Sequence, residues 1–208
     1  MLMIATGPAE PNVWYTRAEV RRMPASKVSE QDVFDGMADV FQRYGYDGAS
    51  LSLLSKATGL ERASLYHRFP NGKEEMADAL LARIDEWFRR DVFEPLAGPG
   101  DPPVRARRVA QHLREFYRRG TRSCVLETLS LGGSTPRIRN HLHRTFAAWL
   151  GAFVAIARES GLPHPLARRR AMEALVRIQG ALVVARLLGD EGPFLRVLDE
   201  LPGKLTIQ

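Results

Sequence analysis

The stretch from Ser50 to Lys73, SLSLLSKATGLERASLYHRFPNGK, leaves the chain few ways to fold there. Ser50 offers a hydroxyl that can accept from a free amide of a first helical turn. Leu51, Leu54 and Thr58 follow at helical spacing on one face. Gly59 stands where a helix ends most easily in a left-handed residue. Leu60 can plug the gap between two helices, and Leu65 and Phe69 can anchor a second one from beneath. Its outward face is then Arg62, Ala63, Ser64, Tyr66, His67 and Arg68, all small, hydrogen-bonding or cationic. That inventory suits a helix pressed into the major groove of duplex DNA.

The rest of the chain is helical in pattern. Ser29, with Asp32 three residues on in an imperfect capping box, opens a helix whose apolar stripe is Val33, Met37, Val40, Phe41 and Tyr44. Gly45 stops it. Asn71 can cap a long helix with Glu74 and Glu75 in its first turn and Met76, Leu80, Ile84, Trp87 and Phe88 on its buried side. Pro95 and Gly98-Pro99-Gly100-Asp101-Pro102-Pro103 mark a break. Less regular helices are expected over 104–119 and 121–131. Two long ones follow, 136–159 and 166–188, the second with Leu175, Ile178, Leu182 and Ala185 on one face and Met172, Val176, Val183 and Leu187 broadening it. An apolar arc that wide exceeds what one packing partner needs. Gly180 in mid-helix marks either a close helix approach or a neutral choice. A short amphipathic helix with Phe194, Val197, Leu198 and Leu201 closes the chain. No alternating strand pattern interrupts this, so the fold class is all-α.

The residues of the first paragraph resemble the DNA-binding domain of the TetR family of bacterial transcriptional regulators. The resemblance rests on Ser50, Thr58-Gly59-Leu60, Leu65-Tyr66-His67-Arg68-Phe69-Pro70 and Lys73-Glu74, and spans about residues 29–90. The turn Pro70-Asn71-Gly72-Lys73 is similar to a subgroup with Phe-Pro-Gly-Gly-Lys-Glu there, which includes repressors of drug-efflux genes. Two departures stand out. Glu61 occupies the place of a capping serine, and Ala63 replaces a common glycine, bringing a methyl group toward the DNA. The resemblance implies an N-terminal three-helix helix-turn-helix domain joined to a C-terminal helical ligand-binding and dimerisation domain. The organisation expected is a basic tail over 1–27, a DNA-binding domain over 28–73, and an effector-binding and dimerisation domain over 74–208.

Composition agrees with a nucleic-acid partner. The formal net charge is +6 in 208 residues, although Arg105, Arg107, Arg108, Arg114, Arg118, Arg119 and Arg122 and the Arg168–Arg170 cluster spread it well beyond the helix-turn-helix. An arginine-rich surface is the competing explanation. The tail carries Arg17, Arg21, Arg22 and Lys27, which would touch phosphate or minor groove, or else form an incidental leader; Trp14 and Tyr15 could dock it. A lone cysteine, Cys124, excludes an internal disulfide, and no apolar run approaches the roughly 20 residues that span a bilayer. The expected compartment is the cytoplasm, with no membrane partner. No cofactor is expected, and no enzymatic constellation forms. His141 and His143 are two apart, wrong for one helix face, and Gly132-Gly133-Ser134-Thr135 lacks the lysine of a phosphate loop.

Chemistry then assigns roles. Arg62 and Ser64 are base-edge candidates, with Ala63 against a thymine methyl. Tyr66, His67 and Lys73 are phosphate candidates, and Ser50 can add its amide or hydroxyl. For Tyr66 the alternative is packing against the first helix. One recognition helix reads too few base pairs for a genome, so a homodimer on a palindromic operator is expected, joined through the two long C-terminal helices. A small-molecule effector, apolar or aromatic, would sit among Trp87, Phe88, Phe116, Tyr117, Trp149 and Phe153, with Cys124, Thr128 and Arg177 as polar additions. Ligand binding would release a repressor from its operator. The rival reading is an architectural or interaction protein that binds DNA without a ligand response.

Overall fold

The computed structural model describes residues 28–207, and the expected basic tail with Trp14, Tyr15 and its arginines lies outside them. The described residues are helical throughout, with no strand. Helix α1 (Glu30–Gly48) begins with a complete capping box: Ser29 Oγ accepts from the Asp32 amide at 3.1 Å, and Asp32 Oδ2 accepts from the Ser29 amide at 3.3 Å. Val33, Met37, Val40 and Phe41 are buried as expected, but Tyr44 is 44% exposed. Gly45 does not end the helix. Its φ of 65° kinks it and turns Tyr46 inward instead, where the ring stacks on Phe41.

Helix α2 (Leu51–Thr58) is capped by Ser50, whose Oγ accepts from the Leu53 amide at 3.2 Å, and ends in Gly59 at φ 68°. Ser55 Oγ then donates to the Leu60 carbonyl at 2.6 Å and pins the turn. Helix α3 (Arg62–Arg68) follows, its N-terminus without a side-chain cap from Glu61. Helix α4 (Lys73–Phe88) starts one residue later than expected. Gly72 holds the cap position, so Asn71 is too far out to cap; its own amide donates to Glu75 Oε2 at 2.8 Å. The chain does not break at Pro95. It runs through a π turn (Arg89–Phe93) into the short α5 (Glu94–Ala97), and only Gly98–Asp101 leaves the helical path.

Helices α6 (Pro102–Phe116), α7 (Val125–Ser130), α8 (Pro136–Glu159), α9 (His164–Leu188) and α10 (Gly192–Leu205) complete the chain. Helix α8 lies along α9, and α10 packs on both α6 and α9. Phe88, Tyr117, Trp149, Phe153 and Phe194 fill the centre. Arg105 departs from the surface reading given to the α6 arginines. It is buried, its guanidinium donating to the carbonyls of Leu96 and Gly98 and pairing with Glu159, so it staples the α5–α6 connection to the end of α8. No helix among the described residues is long and apolar enough to cross a membrane.

Two contacts stand out in and beside the helix-turn-helix. Gly36 lies where α1 crosses α2, and a Cβ there would stand 2.4 Å from the Ala57 carbonyl oxygen. The crossing exists because that side chain is missing. The second contact joins α4 to α8. His141 sits between two carboxylates of α4, Nδ1 at 2.7 Å from Asp78 Oδ1 and Nε2 at 2.8 Å from Asp85 Oδ2. A ring donates to both only when it carries both protons. Thr145 Oγ1 donates to Asp85 Oδ1 at 2.6 Å, Arg137 Nε to Asp78 Oδ2 at 3.1 Å, and the Thr135 hydroxyl to Glu74. Burial works against the Asp78 charge, but the hydrogen bonds and positive charges of His141 and Arg137 outweigh it and hold the carboxyl below its ordinary value.

Gly36→Ala is expected to push α1 off α2 and destabilise the chain by about 1–3 kcal/mol, read as a lower thermal midpoint in circular dichroism. An unchanged midpoint would mean that the crossing has slack. Asp78 binds its proton less readily folded than unfolded, so its stabilisation is full above the unfolded value near 4 and is lost as pH falls through the lower folded one. Acid denaturation curves should therefore be shallower for Asp78→Asn than for the parent chain over that range.

Candidate nucleic-acid interface and effector site

Helix α3 is short, and two side chains hold it. Leu65 is fully buried and Phe69 nearly so, while Arg62, Ala63, Ser64, Tyr66, His67 and Arg68 are exposed. The outward face expected from the sequence is the outward face observed. Arg62 is not loose on it: its guanidinium donates to Ser52 Oγ of α2, which aims the side chain along the outer edge of the pair. Nothing in the spacing marks Ser52, because the contact depends on how α2 and α3 cross.

Arg68 folds back over the rings of Phe34 and Phe69, 5.8 and 5.6 Å from their centroids, and pairs with Glu30 at 3.6 Å. Tyr66 lies along the following turn, where a Cβ on Gly72 would meet its Cε1 at 3.8 Å, and keeps about half its surface open. Its neighbour is that turn. Lys73 is turned inward, Nζ donating to the Tyr46 carbonyl at 2.7 Å and lying 4.4 Å from the Tyr46 ring centroid. An ammonium has three donors, so two remain for an anion. The Ser50 hydroxyl is engaged as the α2 cap.

The residues expected to surround an effector do not form one cavity. Phe88, Trp149, Phe153 and Tyr117 are fully buried against one another and their neighbours: Phe88 and Trp149 have centroids 4.8 Å apart, Trp149 and Phe153 5.9 Å. They are core. Cys124 and Thr128 are buried too, the thiol taking a 3.5 Å contact from the Tyr117 hydroxyl and Thr128 donating to the Val125 carbonyl at 3.2 Å. Burial pushes the Cys124 thiol above its usual value. Arg177 does not join them; it pairs with Glu200 of α10 at the molecular surface. Trp87 and Phe116 behave differently. They stack with centroids 3.9 Å apart and line a cavity of about 390 Å³ between α1, α4 and the segment joining α6 to α7.

A third feature is an exposed apolar surface on α9. Val176 is 62% exposed and Leu187 79%, with Met172, Val183, Val184 and Leu188 beside them. An open groove of about 870 Å³ runs between α8 and α9, with Gly151 and Gly180 on its walls. A Cβ on either glycine would meet no other side chain of the described residues within 4 Å.

Residues 34–80 match the family described as bacterial regulatory proteins of the tetR family. Residues 102–200 match the LmrA/YxaF-like transcriptional regulator C-terminal domain. The chain belongs to the TetR family. It is a transcriptional regulator and not an enzyme. Similar proteins include the HTH-type transcriptional regulator LmrA of Bacillus subtilis, 23% identical over 85% of this chain and 96% of LmrA. Among solved structures, a TetR transcriptional regulator from Legionella pneumophila superposes with a TM-score of 0.74 at 16% identity, covering 84% of this chain and 96% of that one. A cysteine mutant of the TetR-family regulator CifR, solved with a 26-base-pair operator duplex, gives a TM-score of 0.66 at 25% identity over 85% of this chain and 97% of that one.

For a TetR-family regulator, the exposed face of α3 makes separable demands. Arg62→Ala should flatten sequence preference, costing about 1–3 kcal/mol on the preferred duplex and less on others. Lys73→Ala should weaken all duplexes alike and lower the salt slope by about one. Binding measured on two duplexes at several salt concentrations separates these; a preference profile unchanged in Arg62→Ala would remove that residue from the base-reading set.

Proposed function

We propose that this regulator is a homodimeric repressor, acting in the cytoplasm, that occupies a palindromic operator and leaves it when a small-molecule effector binds. The observation that carries the reading is the exposed polar and cationic face of α3 above a fully buried Leu65. Such a helix can enter a major groove without unfolding anything that holds it. Arg62, Ser64 and Ala63 take the base edges; Tyr66, His67 and Lys73, with the Ser50 amide, take phosphates. The operator bound by CifR supports a site of two half-operators here, since its 26 base pairs exceed what one helix can reach.

The dimer reading is supported by the apolar surface of α9 and the groove it forms with α8. Exposed valines and leucines along α9, with the half-buried Phe146, Leu150 and Val154 of α8 across the groove and glycines open to approach, suit the same pair from a second copy. Four helices would then meet across a dyad and set the separation of the two α3 helices. Val176→Asp together with Leu187→Asp should give a monomer in sedimentation and lower affinity for a full palindrome by about 100-fold or more, with half-site binding little changed. A parent chain that sediments as a monomer yet binds the palindrome tightly would contradict the dimer.

A further inference from the structure

The cavity beside Trp87 differs in chemistry from the aromatic core behind it. Its volume, about 390 Å³, is that of a small-ligand site. The Trp87–Phe116 stack, with ring planes 23° apart, forms a flat apolar wall, and Phe34 lines the cavity from α1. Its rim holds both signs of charge, and most of these groups are engaged. Glu86 is held by Arg89, Arg90 by Asp91, and Arg83 by Gln31 and Glu30, while Asp35 accepts from Gln31. Arg122 is the exception among the described residues. The one hydrogen bond of its half-buried guanidinium to them runs from Nε to Gln42 Oε1 at 3.2 Å. Gln42 is itself fixed, its Nε2 donating to the Ser123 carbonyl at 2.7 Å. Among the described residues the terminal nitrogens are therefore aimed but unspent.

The backbone that presents Arg122 is unusual. Arg118 and Arg119 adopt φ of 45° and 58°, a region L side chains rarely enter, and Gly120 follows at 98°. Gly120 also rests on Phe194, where a Cβ would stand 2.9 Å from the Phe194 Cβ. The turn closes through the Arg122 amide, which donates to the Tyr117 carbonyl at 3.1 Å. Strained turns persist where their surroundings over-determine them, and they concentrate at ligand sites. Burial, with Arg118 nearby, lowers the Arg122 guanidinium from its usual value, against the opposing pull of Asp35 and Asp39. A bound anion would offset that cost of burial.

We propose that this cavity is the effector site and that it takes a planar aromatic anion, its ring against Trp87 and Phe116 and its carboxylate on the Arg122 terminal nitrogens. The assignment rests on the effector-released reading above and gives it a ligand class and a lever. A guanidinium binds a carboxylate through two parallel hydrogen bonds, which a lysine cannot reproduce. The lining comes from α1 on one side and from α4 and the α6–α7 segment on the other. An occupant that needs more room than the cavity offers must move α1 against α4, and α1 carries α2 and α3. Only a ligand that prefers the moved state shifts the equilibrium away from DNA binding.

The test uses 2-naphthoate and 2-naphthamide, titrated calorimetrically into the full chain at neutral pH. Naphthoate should bind about tenfold or more tighter than the amide, as a charge-assisted contact requires. Arg122→Gln should abolish that preference while keeping amide binding, and Arg122→Lys should retain part of it; the lysine variant carries the test should the glutamine variant fail to fold. Naphthoate should also weaken binding to a selected operator duplex by about 5–150-fold. Arg122-dependent naphthoate binding with DNA affinity unchanged would uphold the site and overturn effector release. No naphthoate binding, or binding indifferent to Arg122 or to the acid–amide exchange, would overturn the site and leave effector release standing on its own evidence.

Discussion

The seating of α3 is the constraint on which the rest depends. A helix of seven residues is too short to be stable in water by itself. Its existence and direction come from burying Leu65 and Phe69 against the helices beneath, and those helices can come close enough only because Gly36 has no side chain at the Ala57 carbonyl. Ser50, Gly59 and the Ser55–Leu60 hydrogen bond then set the angle at which α3 leaves α2. The outward face follows from that packing. With Leu65 inward, Arg62, Ser64, Tyr66 and His67 have nowhere to point but out.

The helices around α3 meet the rest of the chain through α4 and through α1, which packs on α7. The seam between α4 and α8 has a polar stretch ahead of the Phe88–Trp149 contact: His141 bridges Asp78 and Asp85, with Thr145, Arg137 and Thr135 satisfying the remaining carboxylate oxygens and Glu74. A polar seam has directional contacts, so it holds one register where an apolar one would allow sliding. Along its other side α4 meets α1 across the Trp87 cavity. One helix thus has a fixed joint toward α8 and an unfilled space toward the DNA-binding helices. On the proposed effector reading, that asymmetry makes the α1 side the place where a bound molecule acts.

Features set by neighbours in the chain were legible in the sequence. The Ser50 cap, the Gly59 stop, the Ser29 and Asp32 box and the apolar faces of α1, α4, α8 and α9 all depend on residues within a turn or two. Features set by distant segments were not. Tyr44 falls on the apolar stripe of α1, yet the Gly45 kink hands its place to Tyr46. Asn71 is a good capping residue, but Gly72 takes the position because the turn before α4 needs a positive φ there. Arg105 is buried by carbonyls that only the return of the chain through α5 brings near. The effector set fared in the same way. Helical spacing cannot distinguish an aromatic that fills a core, as Trp149 does, from one that walls a cavity, as Trp87 does. Arg122 carried no local signal, since its significance depends on Gln42, eighty residues away.

Whether α3 reads DNA in pairs is tested by selecting bound duplexes from a random pool with the full chain, at two salt concentrations. The expected outcome is a palindrome whose half-site centres lie about 34–36 Å apart or a multiple of that, enriched at both salt levels. Retention of duplexes without any shared sequence, lost as salt rises, would contradict it and point to an architectural DNA-binding protein instead.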